Sequence, residues 1–142
     1  NFPSGTTFAR EAWLELLVLD SMNDTIYQKG LIVDPSDELD YNDDDLMFYT
    51  TILYGQENQQ GDPINGVSNA LSYHDYTIST LIYDTKTYKI DLPEQEDGNI
   101  FIRARMLFRP FKPQMLKEFH QDAISHLPII QIDTDSVTLG FQ

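Results

Sequence analysis

Asn99-Ile-Phe-Ile-Arg-Ala-Arg-Met-Leu-Phe-Arg-Pro-Phe-Lys-Pro113 alternates with a period of two. Ile100, Ile102, Ala104, Met106 and Phe108 fall on one side, and Phe101, Arg103, Arg105, Leu107 and Arg109 on the other. This is a strand with one wholly apolar face. The second face carries three of the nine basic residues in a chain that has 23 acidic ones. Buried guanidinium groups need carboxylate partners, so the pattern predicts a central strand whose arginines pair with Glu11, Glu15 or other strand carboxylates across the sheet. Pro110 ends the strand, because proline cannot donate to the ladder.

Working outward, Phe8 to Asp20 reads as a second long strand. Ala12, Leu14, Leu16 and Val18 alternate with Trp13, Glu15, Leu17 and Leu19, so both faces are largely apolar, as in a strand between two packed layers. Asp20-Ser-Met-Asn-Asp24 is a turn cluster, and Thr25 to Val33 is a further β-type run, which makes the pair a hairpin. Leu46 to Tyr54, Tyr73 to Tyr83, Thr85 to Leu92, Ile129 to Ile132 and Val137 to Phe141 are the other expected strands. Glu94 to Asn99 is an expected hairpin turn. Gln114 to Ser125 is the one segment with helical spacing, and Pro128 stops it. Gly55 to Ala70 reads as a polar, mobile connection. These elements predict an all-β fold: one domain over 1–142, an antiparallel, immunoglobulin-like sandwich of seven to nine strands with one short helix near 114–125.

Composition narrows the function. The formal net charge is −14, which repels nucleic acid and anionic bilayers alike. The chain has no cysteine, so disulfides, thiolate zinc sites and a covalently attached c-type haem are excluded within it. No apolar run approaches the length of a membrane-spanning helix, and the expectation for these residues is that they include no signal peptide. The sequence starts at Asn1 rather than Met, and the expectation is a processed chain or part of a longer product. No nucleophile motif, triad pattern or phosphate loop occurs, so no catalytic activity is expected.

Asn1-Phe-Pro-Ser-Gly5, followed by Arg10-Glu-Ala-Trp-Leu14, Asp20 and Gly30, resembles the opening of the haem-free β-sandwich domain found downstream of the haem-binding part in many bacterial multihaem c-type cytochromes. Tyr83-Asp84-Thr85, Pro93, then Ala104, Leu107, Arg109 and Phe111 resemble that domain's closing segment. The chain departs from the family in two places. The place of the family histidine that precedes the Phe-Pro-Ser/Thr-Gly turn and can ligate a haem falls at or before Asn1, so that ligand is not among these residues, and Phe108 stands where the family usually has Tyr. The resemblance implies a structural domain that packs beside haem c carried on a partner or on another part of the polypeptide, in a periplasmic or extracellular setting. It places the contact at the N-terminal turn, through Phe2, Pro3 and Phe8.

Four further site readings come from the residues. Asp40, Asn42 and Asp44 put oxygen ligands at alternate positions, as Ca2+ loops do, although the residues at the sixth and twelfth places are not those of an EF-hand. They belong to an acidic stretch, 34–45, read as a solvated loop. His74, in Tyr73-His-Asp-Tyr76, is the histidine best suited to ligate a haem in trans, whereas His120 and His126 read as surface residues. Asn23-Asp-Thr25 fits a glycosylation acceptor pattern. Trp13 reads as core. An exposed aromatic platform would instead suit the alternative function, a secreted β-sandwich module that binds carbohydrate or Ca2+.

Overall fold

The computed structural model describes residues 1–92 and 98–141. The fold is all-β, with antiparallel sheets and a single short α-helix among the described residues. Eight strands run in the order β1 (Glu11–Leu19), β2 (Thr25–Lys29), β3 (Phe48–Tyr49), β4 (Thr51–Tyr54), β5 (Pro63–Ile64), β6 (Ser72–Asp75), β7 (Gly98–Arg109) and β8 (Ile130–Phe141). The main sheet has the order β2-β1-β7-β8, with β3 also paired to β1. The smaller sheet is β5-β4-β6.

β1 and β7 form the centre. They pair antiparallel over nine residues, from Glu11 opposite Arg109 to Leu19 opposite Phe101. That register puts Ala12, Leu14, Leu16 and Val18 on one face with Phe108, Met106, Ala104 and Ile102. The opposite face joins Trp13 to Leu107, Glu15 to Arg105 and Glu11 to Arg109. Each face has its own core. Trp13, Leu39, Leu46 and Leu107 fill one, and Leu16, Val18 and Ile100 fill the other beneath Tyr88 and Ile90.

The two sheets are joined by one short crossing. β3 belongs to the main sheet and β4 to the smaller one, with Thr50 between them. Thr50 is wholly buried, and its hydroxyl reaches the carbonyls of Arg10 (2.6 Å) and Thr7 (3.1 Å), so this corner is pinned to the segment that leads into β1. Strands that switch sheets at a bend are a common way to turn a sandwich corner.

Several expected boundaries are corrected. Tyr73 to Tyr83 is a strand only as far as Asp75, whose carboxylate accepts the Thr77 N–H at 3.0 Å and so turns the chain out of the ladder. Thr85 to Leu92 pairs with no strand; it lies across the sheet and contributes Tyr88 and Ile90 as a cover. The helix is α1 (Pro113–Phe119), broken at His120 and followed by a 3-10 segment, Gln121–His126. The two short terminal strands are one continuous strand, β8, with a bulge opposite Met106 and Leu107. The Gly55–Ala70 connection contains β5 and two short 3-10 turns. The acidic stretch is more than a solvated loop, since Leu39 within it is buried in the Trp13 core. Most of the expected Glu94–Asn99 turn lies outside the described residues.

Candidate functional site

The family-like opening builds a turn tied to the body of the protein. The Arg10 guanidinium donates to the Ser4 carbonyl at 2.7 Å, and Gly5, at φ +80°, sits where an added Cβ would lie 2.8 Å from the same guanidinium. Phe2 pairs by backbone with Ile78, at 2.7 and 3.0 Å, and its ring meets Tyr49 edge-on. Phe2 and Phe8 are half-buried, and Pro3 is buried. Of the three expected contact residues, only the two phenylalanines therefore keep surface toward solvent.

Gly30, the last residue of the opening pattern, explains its pairing with Trp13. The indole N–H donates to the Gly30 carbonyl at 2.8 Å. Gly30 is at φ +67°, and a Cβ there would meet the Leu14 carbonyl at 2.7 Å. Trp13 is wholly buried, which removes it as a platform for sugar.

His74 lies on β6. Its Nδ1 is 2.9 Å from Gln59 Oε1, and its ring stacks on Tyr76 with centroids 4.1 Å apart. The Gln59 amide nitrogen donates to the Tyr73 carbonyl at 3.0 Å, which turns its oxygen toward His74. In this arrangement Nδ1 is placed to donate to Gln59, and Nε2 has no hydrogen-bond partner among the described residues. This is how a histidine is held when its second nitrogen serves as a metal ligand.

The stack continues. Tyr76 packs on Phe48, and Phe48 on Tyr41, each with centroids 4.9 Å apart. Depressions of about 290 and 360 Å3 adjoin this row, both walled by Phe48, Tyr76 and Asp84. The row was not visible in the sequence, because the fold brings residues 41 and 48 from two other segments to His74 and Tyr76. Burial, reinforced by Asp84, raises the Tyr49 hydroxyl to about 12.

Asp40, Asn42 and Asp44 do not form a cage. The acidic stretch is instead a series of side-chain-capped turns, in which Asp34 accepts from the Ser36 N–H, Asp40 from Asn42 and Asp43 from Asp45. The second oxygen of Asp43 is bound by Lys29 at 2.8 Å. Among the described residues, no group of three His, Asp or Glu side chains converges on a point that could hold a metal ion.

The arginines of β7 point at carboxylates, as the alternation predicted. Arg105 clamps Glu15 with two hydrogen bonds, 2.8 and 2.7 Å, and Arg103 reaches the same group at 3.4 Å. Arg109 binds Glu11, and Tyr41 donates to Glu11 as well. Arg109 also donates to the Asp37 carbonyl at 2.8 Å, so one guanidinium ties the acidic stretch to the central strand. Lys112 donates to the Thr51 carbonyl at 2.9 Å, and desolvation lowers its pKa to about 8, opposed by Glu11. His120 and His126 are exposed.

No family model and no curated protein matches the chain. Among solved structures, the chain is similar to a penta-haem cytochrome c552 from Thermochromatium tepidum, with a TM-score of 0.68 and 19% identity. The match covers 96% of this chain and 32% of that one, so the chain spans about a third of its neighbour's length. At this identity the likeness establishes a shared fold. Among the described residues, no helix is long and apolar enough to cross a membrane.

Proposed function

We propose that the chain is a non-catalytic accessory domain that packs beside haems in an extracytoplasmic, multihaem electron-transfer assembly. One observation carries this reading: nearly the whole chain shares its fold with one part of a penta-haem cytochrome, while the chain has no cysteine to attach a haem of its own. Its haems are therefore carried on a partner or on another part of the polypeptide.

The donor set fits that role. A single imidazole with a free Nε2, His74, can complete the axial coordination of a haem held elsewhere and cannot hold one alone. The haem, when bound, supplies the electron transfer. The chain's own residues contribute a stiff wall: Gln59 and Tyr76 fix the His74 ring, and the Phe2 and Phe8 rings offer apolar packing that excludes water. No catalysis is assigned to the domain. The three histidines make no hydrogen bond to a Ser, Thr or carboxylate side chain among the described residues.

A second reading has one observation in its favour. The stacked rings of His74 and Tyr76, beside depressions edged by Asp84, also suit a sugar face. The encoding gene and its neighbours separate the two. Cys-x-x-Cys-His motifs in the same reading frame or an adjacent one support the haem assembly, and their absence together with a sugar-dependent rise in melting temperature supports the second.

A further inference from the structure

The main sheet ends in two unlike edges. β2 is five residues long and carries Lys29, which ends it in a charge. β8 is twelve residues long, exposed at every position and without Lys, Arg or Pro. Natural sheets blunt their edges with short strands, charged side chains, prolines or bulges, since an open edge recruits other strands; in β8 the charges are Asp133 and Asp135 in its first half, and the stretch from Ser136 to Phe141 has none. The one bulge in β8 lies near its start, beside Gln131 and Asp133, and leaves the rest regular.

The side chains of this edge are also unmatched. Pairing with β7 puts Asp133, Asp135, Val137 and Leu139 on one face, beside Met106, Ala104, Ile102 and Ile100. Val137 and Leu139 are 49% and 42% exposed, and Leu14, Ala104 and Met106, alongside Asp133 and Asp135, are only half-buried. The apolar face of β7 is thus covered near Ile100 and bare toward β8. Asp133 and Asp135 stand in this patch without an ion pair among the described residues, while Arg103 and Arg105 turn to the other face and bind Glu15.

We infer that β8 accepts an added strand from a partner protein, with apolar side chains opposite Val137 and Leu139 and Lys or Arg opposite Asp133 and Asp135. The open ladder selects an extended segment. The charge selects a basic one, since a second copy of a chain with net charge −14 would bring more carboxylates to the patch.

The test uses the whole chain and two synthetic peptides. Val-Thr-Val-Thr-Lys-Thr-Lys, laid antiparallel to residues 133–139, sets Val against Leu139 and Val137 and Lys against Asp135 and Asp133. Val-Thr-Val-Thr-Glu-Thr-Glu is the control. The Lys peptide should shift backbone amide resonances of β8 and adjoining β7, and bind about tenfold more tightly than the Glu peptide, as two exposed charge pairs allow. The D133N/D135N variant should bind both peptides alike. Shifts clustered on residues 34–45, equal affinity for the two peptides, no shift with either, or a dimer of the chain alone that protects the β8 amides would each overturn the inference.

Discussion

Glu11 and Arg109 are directly opposite each other in the β1–β7 ladder, and neither side chain has any solvent exposure. Their pairing closes one end of the central ladder, where β1 begins and β7 ends. It also holds the acidic stretch in place, because the same guanidinium reaches the Asp37 carbonyl. A buried pair of this kind contributes little net stability when both partners are present, and its loss is costly when one is left alone.

Arg109→Ala should therefore lower unfolding stability by about 3 kcal/mol or more, with Glu11 left buried without its counter-ion. Arg105→Ala should cost less, about 1 kcal/mol, since Arg105 is 29% exposed and Arg103 still reaches the buried Glu15 carboxylate. Urea midpoints of the two variants measure the difference. Equal losses would show that burial does not separate the two pairs.

Lys112 gives the protein an unusual response to alkali. Its folded pKa, about 8, lies below the ordinary 10.5, so between these values the unfolded chain binds more protons than the folded one. Stability should rise by about 2 kcal/mol as pH climbs from 8 to 10. Tyr49, raised to about 12, and Tyr41, raised well above 10 chiefly by burial, act oppositely: the unfolded chain loses their protons first, and stability falls above pH 10. Melting temperatures across this range should peak near pH 10, and Lys112→Met should abolish the rise while keeping the fall.

Trp13 and Gly30 should behave as one unit. Trp13→Ala removes the largest wholly buried side chain and should cost about 3 to 5 kcal/mol. Gly30→Ala places a Cβ 2.7 Å from the Leu14 carbonyl at a positive φ and should cost about 2 kcal/mol. Chemical denaturation checks both, and a neutral Gly30→Ala would contradict the close approach.

The centre of the fold was legible in the sequence because its signals are local and agree. Alternation in 8–20 and 99–109 predicted two long strands, observed as 11–19 and 98–109, and the shortage of cations made carboxylate partners for Arg103, Arg105 and Arg109 predictable. The Asp20–Asp24 turn followed from its residues; the Asp20 carboxylate accepts the N–H groups of Met22 and Asp24, each at 2.8 Å. The margins were less legible. Asp133 and Asp135 read as a break, yet the ladder to β7 runs through them, because pairing with a formed strand outweighs weak β-propensity. The run from Thr85 to Leu92 alternates poorly, and it serves as a cover, a role set by what lies beneath it. The ring row from Tyr41 to His74 depends on the crossing between sheets, which no local pattern encodes.

Phe2 and Phe8 bear on the assembly rather than the fold. The backbone pairing of Phe2 with Ile78 survives loss of the ring, so F2A/F8A should keep most of the melting temperature of the isolated domain. Association with a haem-bearing partner should weaken in the same variant. Unchanged association, read by size-exclusion elution, would remove the N-terminal turn from the interface.

The most direct test of the accessory-domain reading is the haem content of the native product that contains this chain, captured by an antibody raised against the domain and measured as the alkaline pyridine haemochrome. The account predicts c-type haem in excess of one per copy of the domain, bound to polypeptide outside the sequence described above. A colourless product of full length, with no haem-bearing polypeptide in stoichiometric association, would contradict it.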